Sequence, residues 1–281
     1  MTDAGDVDPF RGTLLWRYLL LVLVAGVVLV PIIATVLGGF KDLGELRVNP
    51  FGLPRQWHVE NYWGILSHGR YWQMIGNSLL IASLTTALSL IVASMAAFVF
   101  AHLRFAGERY LLNYFLIGLL FPAATAILPL FIKVRDLGLL DTYLGVVLPA
   151  AAFSLGAAIL LFRNFFRQLP ADLLDAALID GASYVQFFLR IVLPLSRPIL
   201  ATVGVITFVQ AWNGYILPLI LLNSDAKYPW PLGIMVYQGE YSTDWQLVLA
   251  FVTLTIAPAI AVFLAAQRFI VAGLTAGAVK G

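Results

Sequence analysis

The stretch Asp175-Ala-Ala-Leu-Ile-Asp-Gly-Ala182, followed by Ile191-Val-Leu-Pro-Leu195, decides how the rest of the chain is read. It is short, acidic and compatible with water, yet it lies between two segments, 143–163 and 198–222, each apolar enough to cross a bilayer. A membrane protein keeps such a segment at its surface to meet something. Pro170 suits a helix start, and Asp172 falls in the first turn, where its charge complements the positive end of the helix dipole. At about 100° per residue, Leu174, Ala177, Leu178 and Gly181 share one stripe, with Asp172, Asp175 and Ile179 opposite. One face should therefore pack inward while the other meets a partner. Gly181 supplies a left-handed stop, and Ser183-x-x-Gln186 is a capping-box start for a second helix expected to end before Pro194.

Working outward, hydrophobic residues make up 61% of the 281 and charged residues 11%, with a mean hydropathy of +0.90. Soluble domains carry about a quarter charged residues. Because backbone polar groups in hydrocarbon must be satisfied internally, spans of about 20 apolar residues are sought. Six appear, at roughly 16–38, 75–101, 110–132, 143–163, 198–222 and 247–268, none with Asp, Glu, Lys or Arg at its centre. The expectation is an all-α, polytopic membrane protein forming one domain over 1–281, with a cytoplasmic loop at 164–197 and a tail at 269–281. The first span is too long for a signal-peptide core and follows an acidic start, so it reads as a retained helix.

With the N-terminus inside, Lys and Arg divide 10 inside to 7 outside, a bias that places both termini and the 164–197 loop in the cytosol. Two outside segments are long enough to have shape. Residues 39–74 read as Pro/Gly turns and then a short amphipathic helix at the interface, and 223–246 concentrates aromatic and turn residues. Zero cysteines rule out disulfides and thiolate metal sites, and His58, His68 and His102 lack ligand spacing, so no metal site is expected. No lysine precedes Ser or Thr, so the GxxxxGK[ST] phosphate loop is missing and ATP cannot bind in that way. Neither a catalytic residue nor a nucleic-acid partner is indicated.

The spacing Asp-Ala-Ala, Asp-Gly-Ala, Leu-Pro-Leu resembles the "EAA" loop of permease subunits in binding-protein-dependent ABC importers, with Asp175 in place of the usual Glu. The terminus Gln267-Arg-Phe-Ile-Val-Ala-Gly-Leu-Thr-Ala-Gly-Ala-Val-Lys-Gly281 is similar to the tail of the maltose-type partner permease, and Trp212-Asn213 before Tyr215 and the 49–63 stretch extend the likeness over nearly the whole chain. The resemblance implies a type I importer permease fold in the bacterial inner membrane. It also implies a second homologous permease, two ATPase subunits that bind the ATP and Mg, and an extracytoplasmic sugar-binding protein. It assigns ATPase docking to Asp175, Ala176, Ala177, Asp180, Gly181, Leu193 and Pro194. Gly273, Leu274, Thr275 and Gly277 would enter the ATPase interface, and Tyr228, Trp230, Tyr237 and Gln238 would face the binding protein. From the residues alone, that last cluster is equally a membrane-interface belt.

Sugars ask for flat rings and amide or hydroxyl partners rather than charge. Gln210, Trp212, Asn213 and Tyr215 offer these in the fifth span, although polar residues in membrane helices also serve as interhelical hydrogen bonds. A disaccharide, an oligosaccharide, an amino sugar and glycerol 3-phosphate all stay open as cargo. The rival from another class is an ion-coupled carrier, which usually keeps ionisable residues inside the membrane.

Overall fold

A computed structural model describes residues 11–278 apart from 121, 240 and 241. In chain order the helices are α1 (Arg11–Gly38), α2 (Leu43–Val48), α3 (Glu60–Ser67), α4 (Gly69–His102), α5 (Glu108–Ile117), α6 (Ile127–Asp136) and α7 (Tyr143–Phe166). Then come α8 (Asp172–Ile179), α9 (Tyr184–Phe187), α10 (Leu193–Leu195), α11 (Arg197–Trp212), α12 (Ile216–Leu221), α13 (Trp230–Gly233) and α14 (Trp245–Ala278). Among the described residues there is no strand, only an isolated bridge between Gln238 and Thr243. The fold is all-α.

Four helices are long and apolar enough to cross a membrane alone, and two bent pairs bring the number to six. The bends fall in the third and fifth spans. The third is α5 and α6, turned by 98° across the connection that holds Pro122, which lacks an amide hydrogen. The fifth joins 184–195 to α11 through a bend of 79°, and α11 in turn ends at Trp212, the chain resuming as α12 at Ile216. In the sixth, α14 continues to Ala278, so residues read as a tail from 269 are helical to that point; the many Ala, Leu, Ile and Val positions outweigh the scattered glycines, each of which costs about 1 kcal/mol relative to Ala.

The chain falls into two compact units, one of residues 1–67 with 237–254, the other of 68–236 with 255–281. In the first, the buried Lys41 ammonium donates to the carbonyls of Asn49 at 2.6 Å and Gly52 at 2.7 Å, holding the Pro/Gly turns. Phe40 lies 5.3 Å from the Trp57 ring and 4.3 Å from Tyr62. The amphipathic helix expected there is α3, with Tyr62 and Ile65 buried and Trp63 exposed.

In the second unit α4 packs along α7 and α11. Phe98, Phe162, Phe166, Phe187, Val192 and Val203 form the apolar core at one end, and Ile81, Val134, Val146 and Leu221 anchor a second cluster. Small residues permit close crossing: a Cβ added at Gly156 of α7 would come 2.8 Å from the Phe115 carbonyl oxygen.

Candidate functional site

Residues 172–196 fold as the local signals dictate, with two differences. Gly181 has φ of 78°, and the amide of Ala182 donates to the Ala177 carbonyl at 2.9 Å, closing the C-terminal turn of α8. The Ser183 hydroxyl then accepts from the Gln186 amide at 3.2 Å while the Gln186 side chain accepts from the Ser183 amide at 2.8 Å, so the capping box is complete. The first difference is the buried stripe: Ala177 is buried and Leu173 and Leu174 pack on the core, whereas Leu178 and Gly181 are exposed. Inward packing follows the start of α8 more than its end. The second is at Pro194, which the helix does not stop before; it passes through a π turn at Phe188–Val192 into α10.

Of the docking residues expected from sequence, Asp175, Ala176, Asp180, Gly181 and Pro194 are exposed, Leu193 is half-buried and Ala177 is buried. The exposed set also contains apolar groups: Ile179, which the sequence places on the partner-facing side, at 85%, and two that sequence reasoning did not single out for contact, Val185 at 65% and Leu189 at 54% exposure. Acidic Asp175 and Asp180 flank this ridge.

In the same unit, α4, α7 and the α11–α12 break enclose a cavity of about 440 Å³. Gln210, Asn213 and Tyr215 line it, as do Thr85, Ser154 and Thr207, amid apolar side chains; among the described residues the lining holds no Asp, Glu, His, Lys or Arg. The Asn213 amide is tethered, donating to the Val209 carbonyl at 2.9 Å, and Ser154 shares a hydrogen bond with Ser89 at 2.7 Å. The break delivers Asn213, Gly214 and Tyr215 to the wall. Trp212 is not part of it. That ring is buried, stacked 5.9 Å from Phe208 and 6.4 Å from Trp230, so of the four path candidates it is the one that packs instead.

The segment after α12 is held closely in the second unit. Asn77 donates to the carbonyls of Ala226 at 2.8 Å and Tyr228 at 3.1 Å and accepts from the Tyr143 hydroxyl at 2.8 Å. The Trp230 amide donates to Ser78 at 2.8 Å, and Arg70 pairs with Asp225 at 3.0 Å. Tyr228 and Trp230 are consequently half-buried. In the other unit Tyr237 is half-buried, its ring 5.6 Å from Phe251, and Gln238 is exposed. The backbone of Gly273, Leu274, Thr275 and Gly277 belongs to α14; their side-chain surroundings, and residues 279–281 altogether, lie outside the described residues.

Residues 89–275 match the family model "Binding-protein-dependent transport system inner membrane component". The chain belongs to this family. It is thus an inner-membrane, multi-pass transport component of the ABC importer type rather than an enzyme. The permease is similar to the diacetylchitobiose uptake system permease protein NgcG of Streptomyces coelicolor, at 34% identity over 92% of this chain and 86% of that protein. It is similar also to the arabinooligosaccharides transport system permease protein AraQ of Halalkalibacterium halodurans, at 33% identity over 92% of this chain and 93% of that one. A solved bacterial ABC transporter involved in importing the acidic polysaccharide alginate shares the fold, with a TM-score of 0.80 and 25% identity over 93% of this chain and 97% of the matched one.

Sequence reasoning about the permease missed the cavity contributions of Thr85, Ser154 and Thr207, which sit on α4, α7 and α11. No local pattern marks them. The break that exposes Asn213 did carry a signal, the Asn213-Gly214 dipeptide, a turn former placed four residues before Pro218.

Proposed function

We propose that this chain is the translocation subunit of an ATP-driven importer for an uncharged, hydroxyl-rich carbohydrate, paired with a second permease and driven by two ATPase subunits. The observation that carries the reading is the pairing, within one compact unit, of an exposed acidic-apolar ridge at 175–189 with an uncharged cavity at the α11–α12 break. The ridge suits docking: Ile179, Val185 and Leu189 would bury apolar surface against an ATPase, and Asp175 and Asp180 would meet basic groups at its rim. ATP closure would move the docking helices and turn the permease pair outward, and an external binding protein would release its sugar into the cavity. The termini and the 164–197 loop would lie in the cytosol.

The cavity supports the cargo class. Amides, hydroxyls and a phenol donate to and accept from sugar hydroxyls, while an anion there would meet no cationic side chain among the described lining residues. Burying a charge without a partner costs several kcal/mol. The importers for diacetylchitobiose and arabinooligosaccharides among the relatives support a carbohydrate.

Purification from the native host tests the assembly. The complex should contain an ATPase and a second permease, and uptake should require cytosolic ATP. Robust hydrolysis by the isolated chain, or uptake that survives ATP loss and collapses with the ion gradient, would overturn it. Chain-dependent, saturable uptake of glycerol 3-phosphate with no uptake of neutral di- or oligosaccharides would overturn the cargo class alone.

A further inference from the structure

The π turn between the docking ridge and the cavity helix has a cause and a consequence. Pro194 has no amide hydrogen, and in an α-helix its ring would collide with the carbonyl four residues back, that of Arg190. The chain avoids the collision by winding one residue wider, so that the Leu193 amide reaches the Phe188 carbonyl. Two residues later the path turns by 79° into α11. Ser196 sits at that corner fully buried; its amide is shared between the carbonyls of Val192 at 3.0 Å and Leu193 at 3.1 Å, and its hydroxyl is buried with no hydrogen-bond partner among the described residues.

Each of these features is unfavourable or undecided in the state seen. An orphaned buried hydroxyl costs free energy that a bond would recover. A shared amide lies between two hydrogen-bond registers, and π turns inside α-helices recur at functional sites. Phe187, Phe188 and Val192 are buried in the core, fixing one side of the turn, while Val185 and Leu189 on the other side belong to the exposed ridge.

We propose that residues 188–196 are a two-register joint, with Pro194 and Ser196 as positioning residues that couple the docking ridge to the cavity end of α11. Conversion of the π turn to α winding would press the Pro194 ring on the Arg190 carbonyl, a cost that ATP-driven closure supplies, and would rotate the ridge by about 100° and shift it by about 1.5 Å relative to α11, one residue's worth of helix. The Ser196 hydroxyl, unpartnered in the register seen, stands at the corner where the two registers differ. The joint rests on the docking reading above.

Because the chain has no cysteine, a spin-label pair can be placed cleanly, at Tyr184→Cys beside the ridge and Ile206→Cys on the exposed side of α11. The measurement uses the complete complex in nanodiscs. Two label distances should exchange weight between nucleotide-free and ATP-trapped states, and Pro194→Ala, which relieves the ring clash, should collapse them toward one. The same variant should raise hydrolysis without binding protein at least about fivefold while the complex is recovered at normal yield. Ser196→Ala should leave thermal stability unchanged or raised, since it removes an unpaired hydroxyl, yet shift the two distance weights. An ATPase-containing complex that shows one unchanging distance, with normal coupling in both variants, overturns the joint. A wild-type preparation without any ATPase overturns the docking reading and the joint with it.

Discussion

Lys227 donates its ammonium to both the carboxylate of Asp141, at 2.8 Å, and the main-chain carbonyl of the same residue, bridging 86 positions of sequence. The amides of Asn223 and Ser224 donate to the other carboxylate oxygen at 3.0 Å each, and the Ser224 hydroxyl donates to the oxygen that Lys227 holds. Asp141 accepts all this from φ of 54°, a left-handed geometry that Asp and Asn tolerate better than other side chains. The corner before α7 is thereby clasped to the segment after α12, above the helices that wall the cavity.

The clasp makes a pH prediction with a definite sign. Lys227 first, then the Ser224 hydroxyl and the amides of Ser224 and Asn223, hold the Asp141 carboxyl well below the ordinary carboxylate range. Stability from a carboxyl lowered on folding is complete above its unfolded value, about 3.9, and is lost as pH falls from there toward the folded one. Thermal melting of the permease should therefore show Asp141's full contribution, with no pH dependence from it, between neutral pH and about pH 5. Below about pH 4 the wild type should lose stability that Asp141→Ala has already lost. Asp141→Asn, which keeps the left-handed corner, should melt between wild type and Asp141→Val. A constant gap between wild type and Asp141→Ala down to pH 2 would contradict the clasp.

Gly181 gives a prediction about backbone rather than bulk. A Cβ built there meets nothing within 4 Å, so substitution costs only the left-handed conformation at φ of 78°. Gly181→Val should destabilise the turn by about 1–2 kcal/mol, and Gly181→Asn by markedly less. The measurement is recovery of the ATPase with the purified variant at fixed expression, expected to fall for Val and to be largely kept for Asn. Equal loss in both would point to a side-chain clash with the partner instead.

These contrasts track what was legible in the sequence. The Gly181 stop and the Ser183–Gln186 box depend on residues at most six apart, and both stand as read. The membrane spans were legible because apolar runs report burial directly; Pro122 fitted a bend without fixing one, since membrane helices carry Pro and Gly routinely, and the end of α11 at Asn213-Gly214 was not singled out. The face of α8 was nearly right: the wheel placed Leu174 and Ala177 inward correctly but chose Leu178 over Leu173, because packing engages only the first turns. Trp212 could not be placed, as a large ring serves equally in a core and on a wall. The Asp141–Lys227 clasp and the Lys41 cradle depend on where loops meet, which no local pattern encodes.

Trp212 and Asn213 are neighbours with opposite situations, and their variants should separate. Trp212 is 1% exposed against Phe208, so Trp212→Ala should cost about 3–5 kcal/mol of stability and reduce uptake through lower abundance. Asn213 lines the cavity, and Asn213→Ala should cost no more than about 0.5–1.5 kcal/mol, the net value of its bond to Val209. Its effect should show in the concentration dependence of uptake at unchanged abundance. Trp212→Phe should recover most of the stability. If Asn213→Ala leaves uptake untouched at every sugar concentration, the cavity wall is packing rather than pathway.

Lys41 tests the loop after α1 in the first unit. Its ammonium is fully buried and supplies the donors for the Asn49 and Gly52 carbonyls, while Asn49 accepts from the Gly52 amide at 3.0 Å, so the turn at 49–52 is organised around one cation. Lys41→Met removes the donors and leaves the carbonyls facing apolar surroundings, at about 1–3 kcal/mol for each acceptor that stays buried and unpaired. Arg should not rescue it, because a planar fork cannot stand in for a compact ammonium among carbonyls. Arg47 and Arg55 flank the turn and are exposed, which gives a readout by trypsin. In the wild type the ordered turn should resist cleavage at both; in Lys41→Met cleavage after Arg47 and Arg55 should accelerate by an order of magnitude or more, the factor that about 1.4 kcal/mol of local opening provides. Helix α4 belongs to the other compact unit and should be protected equally in both proteins. Unchanged cleavage in Lys41→Met would mean that the turn is held by Asn49 and its neighbours alone.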